Sequence, residues 1–170
     1  MSRGFVREED QEEIPIVPPR ADLPAGITNY VTPIGMGNLL QEKQDLIDER
    51  ENLALTSENE KRIASNYINA KLNLLNDRIN TAKVVDLSKQ KQDEVLFGAL
   101  ITLKIGKENK PQKYQIVGVD EANISKKKIS FVSPIAKLLL TKKVGEKALL
   151  KLPKEDRVFE ILAISYPESR

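Results

Sequence analysis

Cysteine and histidine are both absent from this sequence, and each absence closes a class of chemistry. Without cysteine there are no disulfides, no thiol nucleophile and no thiolate metal site. Without histidine the commonest general base and zinc ligand is gone as well. Any chemistry rests on carboxylates, lysines or hydroxyls. Aromatic residues make up only 5% of the 170 residues against 40% hydrophobic overall, so the core is mostly aliphatic, as a long helical arm would make it. No apolar run approaches the roughly 20 residues that span a bilayer. The opening Met1-Ser2-Arg3-Gly4 leads into acidic residues rather than a signal-peptide core, so the expectation is a cytoplasmic protein with no membrane partner. A net charge of +2 lacks the strong basic excess of a dedicated nucleic-acid-binding domain.

What is present is a pair of apolar stripes separated by a polar turn. Leu39, Leu46 and Leu53 recur every seven residues with Leu40, Ile47 and Ala54 beside them, one stripe on a helix. Beyond Thr56-Ser57-Glu58-Asn59-Glu60-Lys61-Arg62 come Ala64, Ile68, Leu72, Leu75, Ile79 and Ala82, supported by Ile63, Tyr67 and Leu74. Two such stripes joined by a short turn predict an antiparallel coiled-coil hairpin with Glu58 and Glu60 at its tip. Thr32-Pro33 starts its first helix, Thr as cap and Pro at the first helical position. Gly35 and Gly37 each cost that helix about 1 kcal/mol relative to Ala, so its first turns need tertiary support. Glu42, Asp45, Asp48, Glu49 and Glu51 on the first helix and Lys61, Arg62, Lys71 and Arg78 on the second predict cross-helix charge pairing.

Each tip glutamate has a structural account as well as a functional one. Ser57-Glu58-Asn59-Glu60 matches a capping box, and a carboxylate in a first turn is favoured by the helix dipole. The functional account rests on placement: carboxylates at the end of a stiff arm can reach into another macromolecule and offer hard oxygen ligands to a magnesium ion.

Upstream, residues 1–31 combine Glu8-Glu9-Asp10 and Glu12-Glu13 with Pro15, Pro18, Pro19 and Pro24 and show no apolar period, which predicts a disordered tail. Ile14 to Arg20 also suits a polyproline II docking peptide. Residues 32–86 form the hairpin and 87–93 a linker. In 94–170, alternating runs at Val95–Leu103, Tyr114–Val119, Ile129–Val132, Ala148–Leu152 and Val158–Tyr166, with a helix opened by Ser133-Pro134, predict a small α+β domain. Lys126-Lys127-Lys128 and Lys142-Lys143 read as solvated loops before they read as nucleic-acid contacts.

Several motifs in series carry a resemblance. Thr32-Pro33-Ile34-Gly35, Ala82-Lys83-Val84-Val85-Asp86, Val95-Leu96-Phe97-Gly98-Ala99, Tyr114 to Ala122 and Ile129 to Ala136 resemble, in order, the GreA/GreB family of bacterial transcript-cleavage factors. The resemblance implies a fold of class α+β, an N-terminal antiparallel coiled-coil hairpin followed by an FKBP-like C-terminal domain. It implies docking at the secondary channel of RNA polymerase, with Ser133, Pro134 and Ile135 on the docking face. It also implies that the tip carboxylates Glu58 and Glu60 help hold the polymerase's second catalytic Mg2+, with Lys61 and Arg62 near the nascent RNA 3′ end and DNA in proximity. The chain would bind no metal of its own, act as a monomer, and stimulate the polymerase's cleavage rather than being an enzyme.

Two departures accompany the resemblance. The family tip offers an Asp and, three residues on, a Glu followed by Asn; Glu58-Asn59 matches the second part and Leu55 stands where the Asp would be. The hairpin is also shorter, and losing about seven residues from each helix removes roughly 10 Å of reach. The alternative is therefore a short-armed, Rnk-like channel binder that competes with cleavage factors without stimulating cleavage. A dimerising coiled-coil adaptor is the reading from a different class, and the C-terminal motifs argue against it. Prolyl isomerisation is set aside because a fold does not carry an activity and the dense aromatic pocket is lacking.

Overall fold

The computed structural model describes residues 14–167. The acidic run Glu8–Glu13 expected as tail lies outside them. The arm consists of α1 (Pro33–Glu51) and α2 (Glu58–Thr81), 19 and 24 residues long. Thr32 caps α1 by accepting from the Gly35 amide at 2.9 Å, with Pro33 at the first position, as the sequence predicts. Leu39 and Leu46 from α1 and Ile68, Leu72 and Leu75 from α2 are buried against one another with Val31, while Ile47, Leu53 and Ile79 pack at the margin. Burying such side chains is worth about 1.5–3 kcal/mol each, which makes the seam rather than helix propensity the source of the arm's stability.

The first stripe does not stay helical to its end. α1 stops at Glu51, where the Asn52 backbone amide and side-chain amide both donate to the Asp48 carbonyl, at 3.0 and 2.8 Å. Satisfying that carbonyl twice closes the last turn, and Leu53 reaches the seam from the connection instead of from the helix. Two of the charges expected to pair across the helices bond elsewhere. Glu42 pairs with Arg20 and Arg78 with Asp120, and a cross-helix bond joins Arg50 Nη1 to Asn69 Oδ1 at 2.8 Å.

At the arm's base, β1 (Tyr30–Val31) runs parallel to β2 (Lys83–Val84). Asp86 then caps a 3-10 turn over Leu87–Lys89. Leu87 is buried, so the segment read as a linker is partly packed. The C-terminal domain is a five-stranded mixed sheet of β3 (Leu100–Ile105), β4 (Gln112–Val117), β5 (Lys128–Ser130), β6 (Lys147–Leu150) and β7 (Arg157–Ser165), in the order β5-β4-β3-β7-β6. Within this sheet, among the described residues, only β4 and β5 pair in parallel. The helix α3 (Pro134–Leu139) buries Ala136 and Leu139 against Ile101, Leu103, Ile116, Phe159 and Ile161. This is the α+β arrangement expected.

The first strand begins later than its alternation suggests. Val95, Phe97 and Ala99 are buried, but Val95 exchanges bonds with Lys142 and Thr141, the Leu96 amide donates to Tyr166 Oη, and Gly98 and Ala99 meet Ile116 irregularly, so the regular ladder begins at Leu100. Burial, more than regular pairing, set the alternation there.

The stretch expected as a free tail is tied down from Arg20 onward. Arg20 contacts Glu42 and Asp120, Asn29 donates to the Arg78 carbonyl at 2.9 Å, and Tyr30 stacks among Phe97 and Phe131 with ring centroids 5.8 and 5.9 Å away. Three aromatic rings and buried ions supply what a polar, proline-rich composition does not reveal.

Candidate functional site

The tip is made by α2 rather than by both helices. Ser57 caps it, its Oγ accepting from the Glu60 amide at 3.4 Å. The return bond of a full capping box, from the Ser57 amide to the Glu60 carboxylate, is not among the hydrogen bonds of the described residues. With the bases of the two helices joined through β1 and β2, α2 at 24 residues against 19 carries the tip about 8 Å beyond the end of α1.

Glu58 and Glu60 stand two residues apart, and at 3.6 residues per turn their side chains leave α2 about 200° apart. They do not converge as a pair on one ion. Glu58 is 91% exposed and shares its side of the helix with Lys61, whose Nζ lies 3.4 Å from its Oε1. Arg62 donates to Asn59 Oδ1 at 3.0 Å. The tip thus gathers Glu58, Lys61, Asn59 and Arg62 and turns Glu60 away. Among the described residues no group of three acidic side chains is placed to hold a metal ion. The donor set fits the addition of one hard oxygen ligand to an ion held by something else.

The docking candidates lie at the other end. Ser133 caps α3, its Oγ accepting from the Ala136 amide at 3.2 Å, Pro134 is exposed, and Ile135 packs partly on the domain core. Two residues upstream, Phe131 meets Tyr30, so this face adjoins the arm's mounting.

The mounting was not found by sequence reasoning. Asp120 and Glu121, neighbours in the loop after β4, are 7% and 4% exposed at their side chains. Asp120 Oδ1 accepts from Arg20 Nε at 2.9 Å, and its Oδ2 lies 3.1 Å from Arg78 Nε on α2. Glu121 accepts from Thr32 Oγ1 at 2.5 Å and from Lys128 Nζ at 2.7 Å. Gly35 earns its place here, because a Cβ on it would stand 2.6 Å from Glu121 Oε2. That contact is the tertiary support the first turn of α1 requires. Arg20 also holds Glu42 with two nitrogens, at 2.8 and 3.0 Å; the bonded Glu42 raises the Arg20 pKa above its ordinary value, against the opposing pull of burial. The sequence signal available was slight: one arginine in a proline-rich stretch, and an acidic dipeptide after a strand.

The arrangement is a stiff helical arm with a carboxylate at its end, mounted through buried ions on a small α+β domain. Residues 89–166 match the family model described as transcription elongation factor, GreA/GreB, C-term. The transcription elongation factor GreA of Pelobacter propionicus is 36% identical over 126 residues, spanning 72% of this chain and 80% of that one. GreA of Vesicomyosocius okutanii is 38% identical over 101 residues, spanning 59% and 64%. The solved GreA/GreB factor of Nitrosomonas europaea overlays with a TM-score of 0.41 at 15% identity, covering 82% of this chain and 99% of that one. The chain belongs to the GreA/GreB family of transcription elongation factors.

Proposed function

We propose that this elongation factor binds RNA polymerase at the secondary channel through its C-terminal domain and extends its arm inward, so that Glu58 stimulates cleavage of backtracked RNA. One observation carries the reading: a 91%-exposed carboxylate stands in the first turn of a helix five residues longer than its partner, which carries it about 8 Å beyond the end of α1. The polymerase's Mg2+ supplies the Lewis acid and the activated water. This chain's residues supply position and one oxygen ligand. Glu58 adds the ligand, Lys61 and Arg62 offer positive charge to the RNA 3′ end, and Ser57 holds the first turn of α2 in shape. Ser133, Pro134 and Ile135 form the docking face. The hydrolytic centre belongs to the polymerase, so the protein is a stimulator and no enzyme.

A second reading follows from Glu60 turning away while Leu55 stands at the family's Asp position. A tip with one carboxylate can occupy the channel without completing the metal site, and the protein then competes with longer-armed factors. Incubating backtracked elongation complexes with the protein separates the two. Magnesium-dependent release of short RNA 3′ fragments supports stimulation; no release, together with inhibition of a long-armed factor in the same tube, supports competition.

A further inference from the structure

We infer that residues 20–31 form a strap that fixes the angle between arm and C-terminal domain, and that Arg20 is a positioning residue for the tip. The inference rests on the proposed role of Glu58 only for its consequence in cleavage; the mechanical claim stands on the junction itself.

Among the described residues, three ties cross from the arm to the loop after β4. Thr32 to Glu121 lies at the N-cap of α1, and Arg78 to Asp120 lies in the last turn of α2. Both grip the arm at its root, where they resist sliding better than rotation. The third differs. Glu42 stands ten residues after Thr32, about 15 Å along α1, and Arg20 ties it to Asp120 through one guanidinium. A tie that far from the root resists swinging. Arg78 also donates to the Ala21 carbonyl, which fixes the strap's own backbone beside the same cluster.

The leverage is large. The 24 residues of α2 span about 36 Å, so a swing of about 10° at the root moves the tip by about 6 Å. A ligand must be placed within a fraction of an ångström to be useful. Arginine is the suited residue, because its planar fork grips Glu42 with two nitrogens while the third reaches Asp120, a geometry lysine's single ammonium cannot reproduce. At 19% side-chain exposure for Arg20 and 7% for Asp120, salt screens the pair weakly.

The lack of cysteine makes the test direct. Spin labels on Ile63→Cys near the tip and Lys113→Cys on β4, both exposed positions, report the arm-to-domain distance by double electron-electron resonance without polymerase. The full chain should give one narrow distribution. Arg20→Gln and Arg20→Lys should each widen it about twofold, and Glu42→Gln, a change on the exposed face of α1 that leaves the core alone, should widen it in the same sense. In the cleavage assay Arg20→Lys should lower the maximal rate about fivefold with affinity for polymerase unchanged. An already broad parent distribution, or unaltered widths in Arg20→Lys and Glu42→Gln, overturns the strap. Absent cleavage in the parent contradicts the role of Glu58 and leaves the distance result to decide the strap.

Discussion

Arg50 Nη1 donates to Asn69 Oδ1 at 2.8 Å, a tie from the last turn of α1 to α2, and α2, five residues longer than α1, is left to build the tip with its N-terminal turn. The end of the arm is therefore a helix start, with the chemistry of a helix start: an oxygen cap, orphan amides and a favourable field for negative charge. Glu58 draws on that field while remaining open to solvent.

The cap is the first place to test this. Ser57→Ala should cost about 1 kcal/mol or somewhat less, given the 3.4 Å bond, and the loss should be local. Amide hydrogen exchange in Glu60–Ala64 should speed several-fold while exchange at the buried Leu72 and Leu75 is unchanged. Uniform acceleration along α2 would mean that the tip and the base unfold together.

At the other end, Gly118 lets the loop after β4 pass the arm's base, since a Cβ there would meet the Tyr30 carbonyl oxygen at 2.6 Å. Gly118→Ala should destabilise the chain by about 1–3 kcal/mol, by overpacking against backbone that cannot rotate away. Thermal melting checks it, and an unchanged midpoint would mean that β1 moves freely relative to the domain.

Pro134 is exposed at the first position of α3, where Glu is tolerated by the helix dipole. Pro134→Glu should keep the fold and weaken polymerase binding about tenfold, roughly 1.4 kcal/mol, in a fluorescence anisotropy titration. Unaltered affinity would move the docking face elsewhere on the domain.

Tyr166 accepts from the Leu96 amide at 2.9 Å and donates to the Glu94 carbonyl, and burial raises its pKa. A raised folded pKa means that its contribution is fully present below the unfolded value of about 10 and is lost as pH climbs through the folded one. Stability should therefore fall at alkaline pH, and Tyr166→Phe should remove that part of the fall while costing about 1 kcal/mol at neutral pH. Equal alkaline losses in parent and variant would assign the fall to other groups.

How much of this was legible follows the range of each interaction. Thr32-Pro33, Ser57 and Ser133-Pro134 are caps, whose partners lie within three residues, and all three start helices where the sequence places them. The seam positions Leu39, Leu46, Ile68, Leu72 and Leu75 are equally plain because helical periodicity repeats. The end of α1 was missed because Asn52 closes it through Asp48 without the glycine that usually announces a stop. The mounting was missed for a different reason. Arg20 meets Glu42 and Asp120 across 22 and 100 residues, and nothing local in a single sequence marks such a pair. At the tip, the two glutamates and the cap at Ser57 were both legible, and that the glutamates face apart follows from their two-residue spacing on the helix that cap starts.

The central claim is that Glu58 is the tip's one working carboxylate, and Glu58→Gln tests it most directly. The substitution keeps size and packing but removes the charge a hard cation prefers. With saturating factor on backtracked elongation complexes, Glu58→Gln should lower the rate of RNA 3′-fragment release roughly tenfold or more. Polymerase affinity should be unchanged, and Glu60→Gln, on the far side of the helix, should cleave like the parent. Equal cleavage by Glu58→Gln and the parent would contradict the account, as would a parent that releases no fragment at all.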